Sequence, residues 1–177
     1  MKFVPMAQGA ALTALFLVGG CSGGVSNETA ATQAQAAPRE SLAEVARPPA
    51  IPDEANAIAA APLNDAGEIA AEIAANTMVE RVPVEGGLAW VQDGEVLRTV
   101  SRDGRRVSYF HPGESRPFLV QEGGLAYAYE GGRAQLAYDS AGRPAPVPDA
   151  VRAEAERLAD QSRHEADEAE RARRGAR

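Results

Sequence analysis

Glycine-containing turn signals recur every 7 to 10 residues between residues 85 and 142. The stretches between these turns are rich in β-branched and aromatic residues, a pattern that is typical of short antiparallel strands joined in sequence order. The sequence therefore predicts an antiparallel β-meander of six to eight short strands, either a curved sheet or a small barrel. The candidate strands are 78–84, 88–92, 95–101, 106–111, 116–121, 125–129 and 133–138, with a proline-broken edge piece at 143–147.

An internal repeat divides the predicted sheet into two similar halves, 85–105 and 122–143. Each half begins with the run EGGLA followed by an aromatic residue, and Gly94 of the first half matches Gly131 of the second. Two copies of a four-strand unit are too few for a propeller or a solenoid. The two halves are therefore expected to join into a single sheet.

The tight turns also predict which side chains share a face of the sheet. Two-residue turns place Trp90 opposite Leu97 in one hairpin and Tyr127 opposite Leu136 in another. Cross-strand partners share a face. The second hairpin is therefore predicted to carry its large side chains on one face, which we call the heavy face. These side chains are Leu125, Tyr127, Tyr129, Leu136 and Tyr138.

Helical patterns flank the predicted sheet. Before it, residues 53–77 predict two short alanine-rich helices, the first ended by Pro62 and the second capped by Asn64 or Asp65. After it, residues 149–173 contain no glycine or proline and interleave acids with arginines at helical spacing. We expect the first three turns of this helix to pack on the sheet and the rest to project into solvent. The predicted fold class is α+β.

The charge balance argues against nucleic acid as a partner. The chain has 25 acidic residues against 18 lysines and arginines, which gives a formal net charge of −7. Binding to a phosphate backbone depends on basic patches, which this balance does not favour. The single cysteine excludes a disulfide framework and a cysteine-based zinc site.

The sequence offers no catalytic or metal-binding motif. Its two histidines, His111 and His164, are isolated and lack the paired spacing of metal ligands. No cofactor is expected, because the glycine pairs lack the lysine and the strand-to-helix context of a phosphate loop. One alternative stays open: acidic residues near the turns converge into a catalytic site that cleaves glycans. These residues are Glu85, Glu95, Glu114, Glu122 and Glu130.

Seven of the nine aromatic residues lie between Trp90 and Tyr138. Trp90, Tyr127 and Tyr129 are candidates for a binding face that stacks sugar rings or holds a partner peptide. The other interpretation is that these aromatics form the core beneath a helix. Large apolar residues are barely sufficient for a domain of this size, which favours the core and leaves self-association as a further source of stability.

The amino-terminal residues have the pattern of a secretory signal. Lys2 precedes an apolar stretch at 10–18 that is too short to span a bilayer. The run 17–21, LVGGC, resembles the lipobox of bacterial lipoproteins. That resemblance implies cleavage between Gly20 and Cys21 and attachment of lipid to the Cys21 thiol. The only cysteine of the chain thus lies where a lipid anchor would need it.

The composition after Cys21 predicts a disordered tether, because residues 22–52 contain few large apolar residues. Ser22, by the same resemblance, favours the outer membrane facing the periplasm over the inner membrane. The predicted organisation is a signal peptide at 1–20, a lipidated tether at 21–52, short helices at 53–77, a sheet domain at 78–147 and a charged helix at 148–177.

Together these patterns predict a non-enzymatic binding or assembly module that is anchored in the bacterial cell envelope. Its expected partners are the membrane, through the lipid, and an envelope protein or glycan. Two alternatives stay open. One is a glycan-active envelope enzyme that uses turn carboxylates. The other is a small inhibitor of a cell-wall hydrolase, similar in plan to the β-barrel lipoprotein inhibitors of lysozyme.

Overall fold

A computed structural model describes residues 47–53 and 55–176 of the chain. Eight strands form one antiparallel sheet in which each strand pairs with the next along the chain. The sheet is open rather than closed, so the predicted α+β meander is confirmed in its curved-sheet form. The strands are β1 (Glu80–Val84), β2 (Gly87–Gln92), β3 (Glu95–Ser101), β4 (Arg106–Tyr109), β5 (Leu119–Glu122), β6 (Leu125–Glu130), β7 (Arg133–Tyr138) and β8 (Pro144–Pro146).

Within residues 47–53 and 55–176, one helix precedes the sheet and one follows it, and they cover opposite faces. Helix α1 (Ala57–Ala75) places Leu63, Ala66 and Ile69 against one face, which we call the α1 face. Helix α2 (Asp149–Gly175) covers the other face, the α2 face, and contacts strands from β1 to β7. The core therefore consists of two layers, one on each side of the sheet.

Helix α1 is continuous where two short helices were predicted. Its N-cap is Asn56, whose Oδ1 accepts hydrogen bonds from the backbone N–H groups of Ile58 and Ala59 at 2.9 and 3.0 Å. The predicted caps, Asn64 and Asp65, lie inside the helix. The start of the helix therefore lies about two turns earlier than the second predicted helix.

Pro62 does not end α1, contrary to the prediction. A proline inside a helix removes one backbone hydrogen bond and costs about 3 kcal/mol. Here the hydroxyl of Tyr138 donates a 2.8 Å hydrogen bond to the carbonyl oxygen of Ala59, three residues before the proline. Leu63 and Ala66, which follow it, are buried on the sheet. These contacts with the sheet offset the cost of the proline.

Helix α2 packs on the sheet along most of its length, so the prediction of a projecting solvated end is wrong. Ala155, Leu158 and Ser162 are buried as expected. Residues of the following turns, Ala166 and Ala169 among them, are buried as well. Their small side chains let the helix lie close to the sheet, which a search for large apolar residues does not detect.

A β-bulge changes the register of the β2–β3 hairpin. The register shifts between Trp90 and Val91, so that Trp90 lies opposite Arg98 rather than opposite Leu97 as predicted. A bulge adds one residue to one strand, and turn length alone does not reveal it. The consequence is that an arginine, not a leucine, is the neighbour of the only tryptophan.

A second bulge, between residues 128 and 129, changes the β6–β7 hairpin. Tyr127 lies opposite Ala137 rather than Leu136. Tyr127 and Tyr129 pack on the α2 face, whereas Leu136 and Tyr138 pack on the α1 face. The predicted single heavy face is therefore wrong, because a shift of one residue moves side chains to the opposite side of the sheet.

The two halves of the repeat, 85–105 and 122–143, lie within β1–β4 and β5–β8 and contain β2–β3 and β6–β7. Their matched residues nevertheless face opposite sides of the sheet. Ala89 packs on the α2 face, and its counterpart Ala126 packs on the α1 face. The first pair beyond the β5–β6 turn is Glu122 with Leu125, one residue later than in the β1–β2 hairpin. Because of this difference in register, matched residues of the two similar sequences face opposite sides of the sheet.

Candidate functional site

The three aromatic residues considered as a binding face do not lie on one surface. Trp90 is 4% exposed and packs under α1, whereas Tyr127 and Tyr129 are 9% and 8% exposed and pack under α2. Their rings contribute to two separate core layers. The other sequence-predicted site residues, Gly20 and Cys21, lie outside the residues that the structure describes.

The turn carboxylates are divided between the two ends of the sheet. In an antiparallel meander, successive connections alternate between the two ends. Glu85 and Glu122 border connections at one end, while Glu95, Glu114 and Glu130 belong to connections at the other end. The five carboxylates therefore do not converge on a single site.

A groove opens at the end of the sheet that carries the β1–β2, β3–β4 and β5–β6 turns. It consists of two depressions of about 340 and 430 Å³. They adjoin at the β3–β4 hairpin, since Val100 lines one and its cross-strand partner Val107 lines the other. We call this surface the turn groove. Its other lining side chains include Leu88, Arg102, Asp103, Arg105, Gln121, Glu122 and Leu125.

The turn groove is open because α1 crosses the sheet diagonally. Near its N-terminus, α1 is held at β7 by the hydrogen bond from Tyr138 to Ala59. At its C-terminus, the side chain of Asn76 donates a 3.2 Å hydrogen bond to Gln92 at the far end of β2. Between these two corners, α1 runs away from the turns that border the groove, although Val100 and Val107 beside those turns are buried.

Asp103 closes the β3–β4 turn at the rim of the groove. Ser101 Oγ donates a 2.6 Å hydrogen bond to Asp103 Oδ1, and the backbone N–H of Arg105 donates a second at 3.1 Å. The pKa of Asp103 lies below its usual range, mainly because of the Ser101 hydrogen bond. The carboxylate is therefore ionised at neutral pH, and it is unsuited to act as a general acid.

The chain that leads into α1 runs along one edge of the turn groove. Gln121 Nε2 donates a 3.1 Å hydrogen bond to the carbonyl oxygen of Arg47. Further along, a Cβ on Gly142 would lie 1.9 Å from the carbonyl oxygen of Ala50. Only a glycine allows so close an approach of the two backbones. The segment from Arg47 to Ala50 is thus seated against the β5 to β8 side of the sheet.

A second polar cluster is buried between α2 and the sheet. Arg106 of β4 and Glu165 of α2 form an ion pair, and their side chains are 8% and 5% exposed. Beside it, the hydroxyl oxygens of Ser108 and Ser162 lie 2.6 Å apart, and Ser162 donates a 2.8 Å hydrogen bond to the Leu158 carbonyl. These contacts join helix to sheet away from solvent. We therefore assign this cluster a structural role.

Arg98 is buried on the α1 face against Trp90. Its guanidinium carbon lies 3.9 Å from the centre of the Trp90 ring, which is a cation–π contact. Its cross-strand neighbour on β4 is Tyr109, whose pKa is raised to about 12 by burial. The sequence did not reveal this arrangement, because it depends on the bulge beside Trp90.

Within 47–53 and 55–176, no group of three or more His, Cys, Asp or Glu residues is placed to hold a metal ion. Neither helix of that part of the chain is long and apolar enough to cross a membrane. No protein-family model, curated protein sequence or solved structure matches the chain. The turn groove is the candidate site on its geometry. The repeated EGGLA turns, which border it, are the one sequence signal that points to this region.

Proposed function

We propose that this chain is a lipid-anchored protein of the bacterial cell envelope that binds a partner there without catalysing a reaction. The lipobox-like run that ends at Cys21 supports the anchor, and Ser22 favours the outer membrane facing the periplasm. The observation that carries the binding role is the turn groove. It is a partly apolar surface beside the segment that leads from the anchor into the fold.

The lining of the groove favours a polypeptide partner over a glycan. Among the residues that the structure describes, its lining includes aliphatic, charged and amide side chains but no aromatic ring on which a sugar could stack. Gln121 already binds a backbone carbonyl at the edge of the groove. Hydrogen bonds to backbone groups, with apolar side chains for specificity, are the usual chemistry of peptide recognition. The proposed partner is therefore an envelope protein.

The anchor is tested by replacing its attachment residue. Cys21→Ala should abolish incorporation of labelled palmitate and the corresponding increase in mass, because the acylated thiol is gone. Ser22→Ala is the matched control and should retain both. A Cys21→Ala protein that keeps the label and the added mass would contradict the anchor.

The binding role is tested by crosslinking in intact cells, followed by mass spectrometry of what co-purifies with the tagged chain. Leu125→Asp places a charge in the groove on a side chain that is 44% exposed, so the fold should tolerate it. Capture of a defined envelope protein should be lost in this variant. Ile58→Asp, at an 84% exposed position outside the groove, should retain it. Equal capture by both variants, or recovery of glycan fragments alone, would contradict the proposal.

A glycan-active enzyme is the second candidate, and one observation favours it: Asp103 and Glu122 line the same depression. If this candidate is correct, purified peptidoglycan fragments should be cleaved by the wild-type chain and not by Glu122→Gln. Glu95→Gln, at the opposite end of the sheet, should cleave them normally. That result would replace the non-enzymatic proposal.

A further inference from the structure

We propose that two proline-rich segments, 47–52 and 143–148, form one docking surface for a protein whose groove is lined by aromatic and acidic side chains. We call this surface the proline corner. It lies where the chain enters the fold and where β8 forms the outer edge of the sheet. The inference goes beyond the proposed function, because it holds whether or not the turn groove binds a partner.

The two segments share a sequence pattern and meet in the fold. They read RPPAIP and RPAPVP, so both follow the order Arg-Pro-x-x-Ile/Val-Pro. Gly142, which immediately precedes the second segment, packs against the first: a Cβ at this glycine would lie 3.2 Å from Cδ of Pro52. Prolines about a hundred residues apart in sequence thus lie on one continuous surface.

The first segment is held in an extended conformation. Residues 47–52 lie in neither a helix nor a strand. A proline fixes its own φ and keeps the preceding residue extended, which restricts all of these residues except Ala50. Arg47, Ala50 and Asp53 are exposed, whereas Pro49 and Pro52 are half-buried. This spacing of three matches a polyproline II helix, which loses little entropy when it binds.

The second segment presents hydrogen-bond acceptors without donors. Arg143 and Val147 bond to β7, through the Arg143 carbonyl and the Val147 N–H. The alternate residues, Pro144 and Pro146, are exposed and turn their carbonyl groups outward, with no N–H beside them. A strand would leave its own acceptors unpaired on such an edge. Tryptophan and tyrosine suit it better, because each donates one hydrogen bond and packs its ring on proline.

The charges at the start of each segment add a preference for acids. Arg143 already pairs with Asp139 at 2.6 Å, although its side chain is 75% exposed. Arg47 is exposed and makes no ion pair with any other residue that the structure describes. An acidic side chain of the partner can therefore pair with Arg47 while aromatic rings lie on the prolines. Aromatic residues next to Asp or Glu are thus the chemistry that this surface fits.

NMR spectroscopy of the purified full chain tests this chemistry with a defined probe, the peptide Asp-Trp-Asp-Trp. Ring currents of the bound indoles should shift the ring protons of Pro144 and Pro146 upfield. Asp-Ala-Asp-Ala should cause no such shift, and Lys-Trp-Lys-Trp should bind several-fold more weakly. Absence of the shift, or equal binding of the acidic and basic tryptophan peptides, would overturn the inference.

Photo-crosslinking in intact cells tests the surface with its natural partner. With p-benzoylphenylalanine in place of the exposed Ala145, the chain should crosslink to an envelope protein at a peptide that contains Trp or Tyr beside Asp or Glu. The same probe at Gln161, on the exposed side of α2, should not capture that protein. Arg47→Glu should lower the yield at residue 145 several-fold, whereas Arg171→Glu, at another exposed arginine, should not.

The outcomes separate this inference from the proposed function. Crosslinks from residue 145 to a second copy of the chain alone would assign the surface to self-association and overturn the inference. Capture of a partner that depends on Leu125 and not on Arg47 would also overturn it, while the turn groove would keep its proposed role. Loss of capture in Arg47→Glu with normal capture in Leu125→Asp would support the proline corner and contradict the groove.

Discussion

At the level of single residues, Gly86 makes room for the buried ion pair. A Cβ at this position would lie 2.5 Å from Glu165 Oε1. Gly86→Ala should therefore push Glu165 away from Arg106 and lower the free energy of unfolding by about 1 to 3 kcal/mol in urea denaturation. Gly67→Ala is the control, since a Cβ at this position of α1 would have nothing within 4 Å. That substitution should raise stability by up to about 1 kcal/mol, and equal losses in both variants would contradict the steric explanation.

Glu165 should also give the stability a specific pH dependence. Burial raises its pKa above the ordinary value of 4.5, while Arg106 opposes the shift and Glu168 adds to it. The folded protein therefore binds this proton more tightly than the unfolded chain does. The resulting stability is fully present below pH 4.5 and is lost as the pH rises through the higher folded pKa.

Glu165→Gln removes this titration, because the amide is neutral at every pH. Between about pH 4 and pH 7, the difference in unfolding free energy should therefore shift in favour of the variant as the pH rises. Urea denaturation of both proteins across this range measures the shift. A difference that does not change with pH would show that Glu165 titrates alike in the folded and unfolded states.

At the level of elements, the outer edge of β8 is protected by proline. Arg143 and Val147 bond to β7, through Asp139 N–H to the Arg143 carbonyl at 3.3 Å and Val147 N–H to the Gln135 carbonyl at 3.4 Å. The alternate positions, Pro144 and Pro146, therefore turn their backbone outward, where they offer no N–H. An edge without donors does not template another strand.

Replacing both prolines should open that edge to association. The double variant Pro144→Thr with Pro146→Thr is expected to increase the apparent mass in size-exclusion chromatography with light scattering, relative to the wild-type chain. Ala145→Thr, whose backbone is turned toward β7, should leave the mass unchanged. An unchanged mass in the double variant would mean that something other than proline protects the edge.

The elements also show how far the sequence could predict this fold. Turn glycines at positive φ, such as Gly94, Gly131 and Gly142, mark where strands end, and all eight strands lie where the turns predicted them. The turns did not predict which side chains of each strand face α1 and which face α2. The bulges beside Trp90 and Tyr129 depend on packing against two helices, which no local pattern contains.

The candidate site was less predictable than the strands. The turn groove exists because α1 lies diagonally, and that path depends on two long-range hydrogen bonds, from Tyr138 to Ala59 and from Asn76 to Gln92. The two bonds join residues that are 79 and 16 positions apart in the sequence, and together they set the path of α1 beside the groove. The sequence showed the turns that border the groove but not the path of α1 beside it.

At the level of the whole molecule, α2 links the two halves of the repeat. It contacts β1, β2 and β3 in one half and β5 and β7 in the other. The sheet is continuous between the halves as well, through the pairing of β4 with β5. Neither half therefore has a core of its own, and we expect the two to unfold together.

The aromatic residues allow this cooperativity to be measured half by half. Trp90, the only tryptophan, lies in β2, while three of the four tyrosines lie in β6 and β7. Urea midpoints from tryptophan fluorescence and from near-ultraviolet tyrosine dichroism should therefore coincide. Ala166→Asp buries a charge at a 1% exposed position of α2 and should lower both midpoints equally. Arg171→Ala, on the exposed side of the same helix, should move neither. Separate midpoints in the wild-type chain would instead mean that each half of the repeat is stable alone, and that α2 and the β4–β5 pairing only hold two independent units side by side.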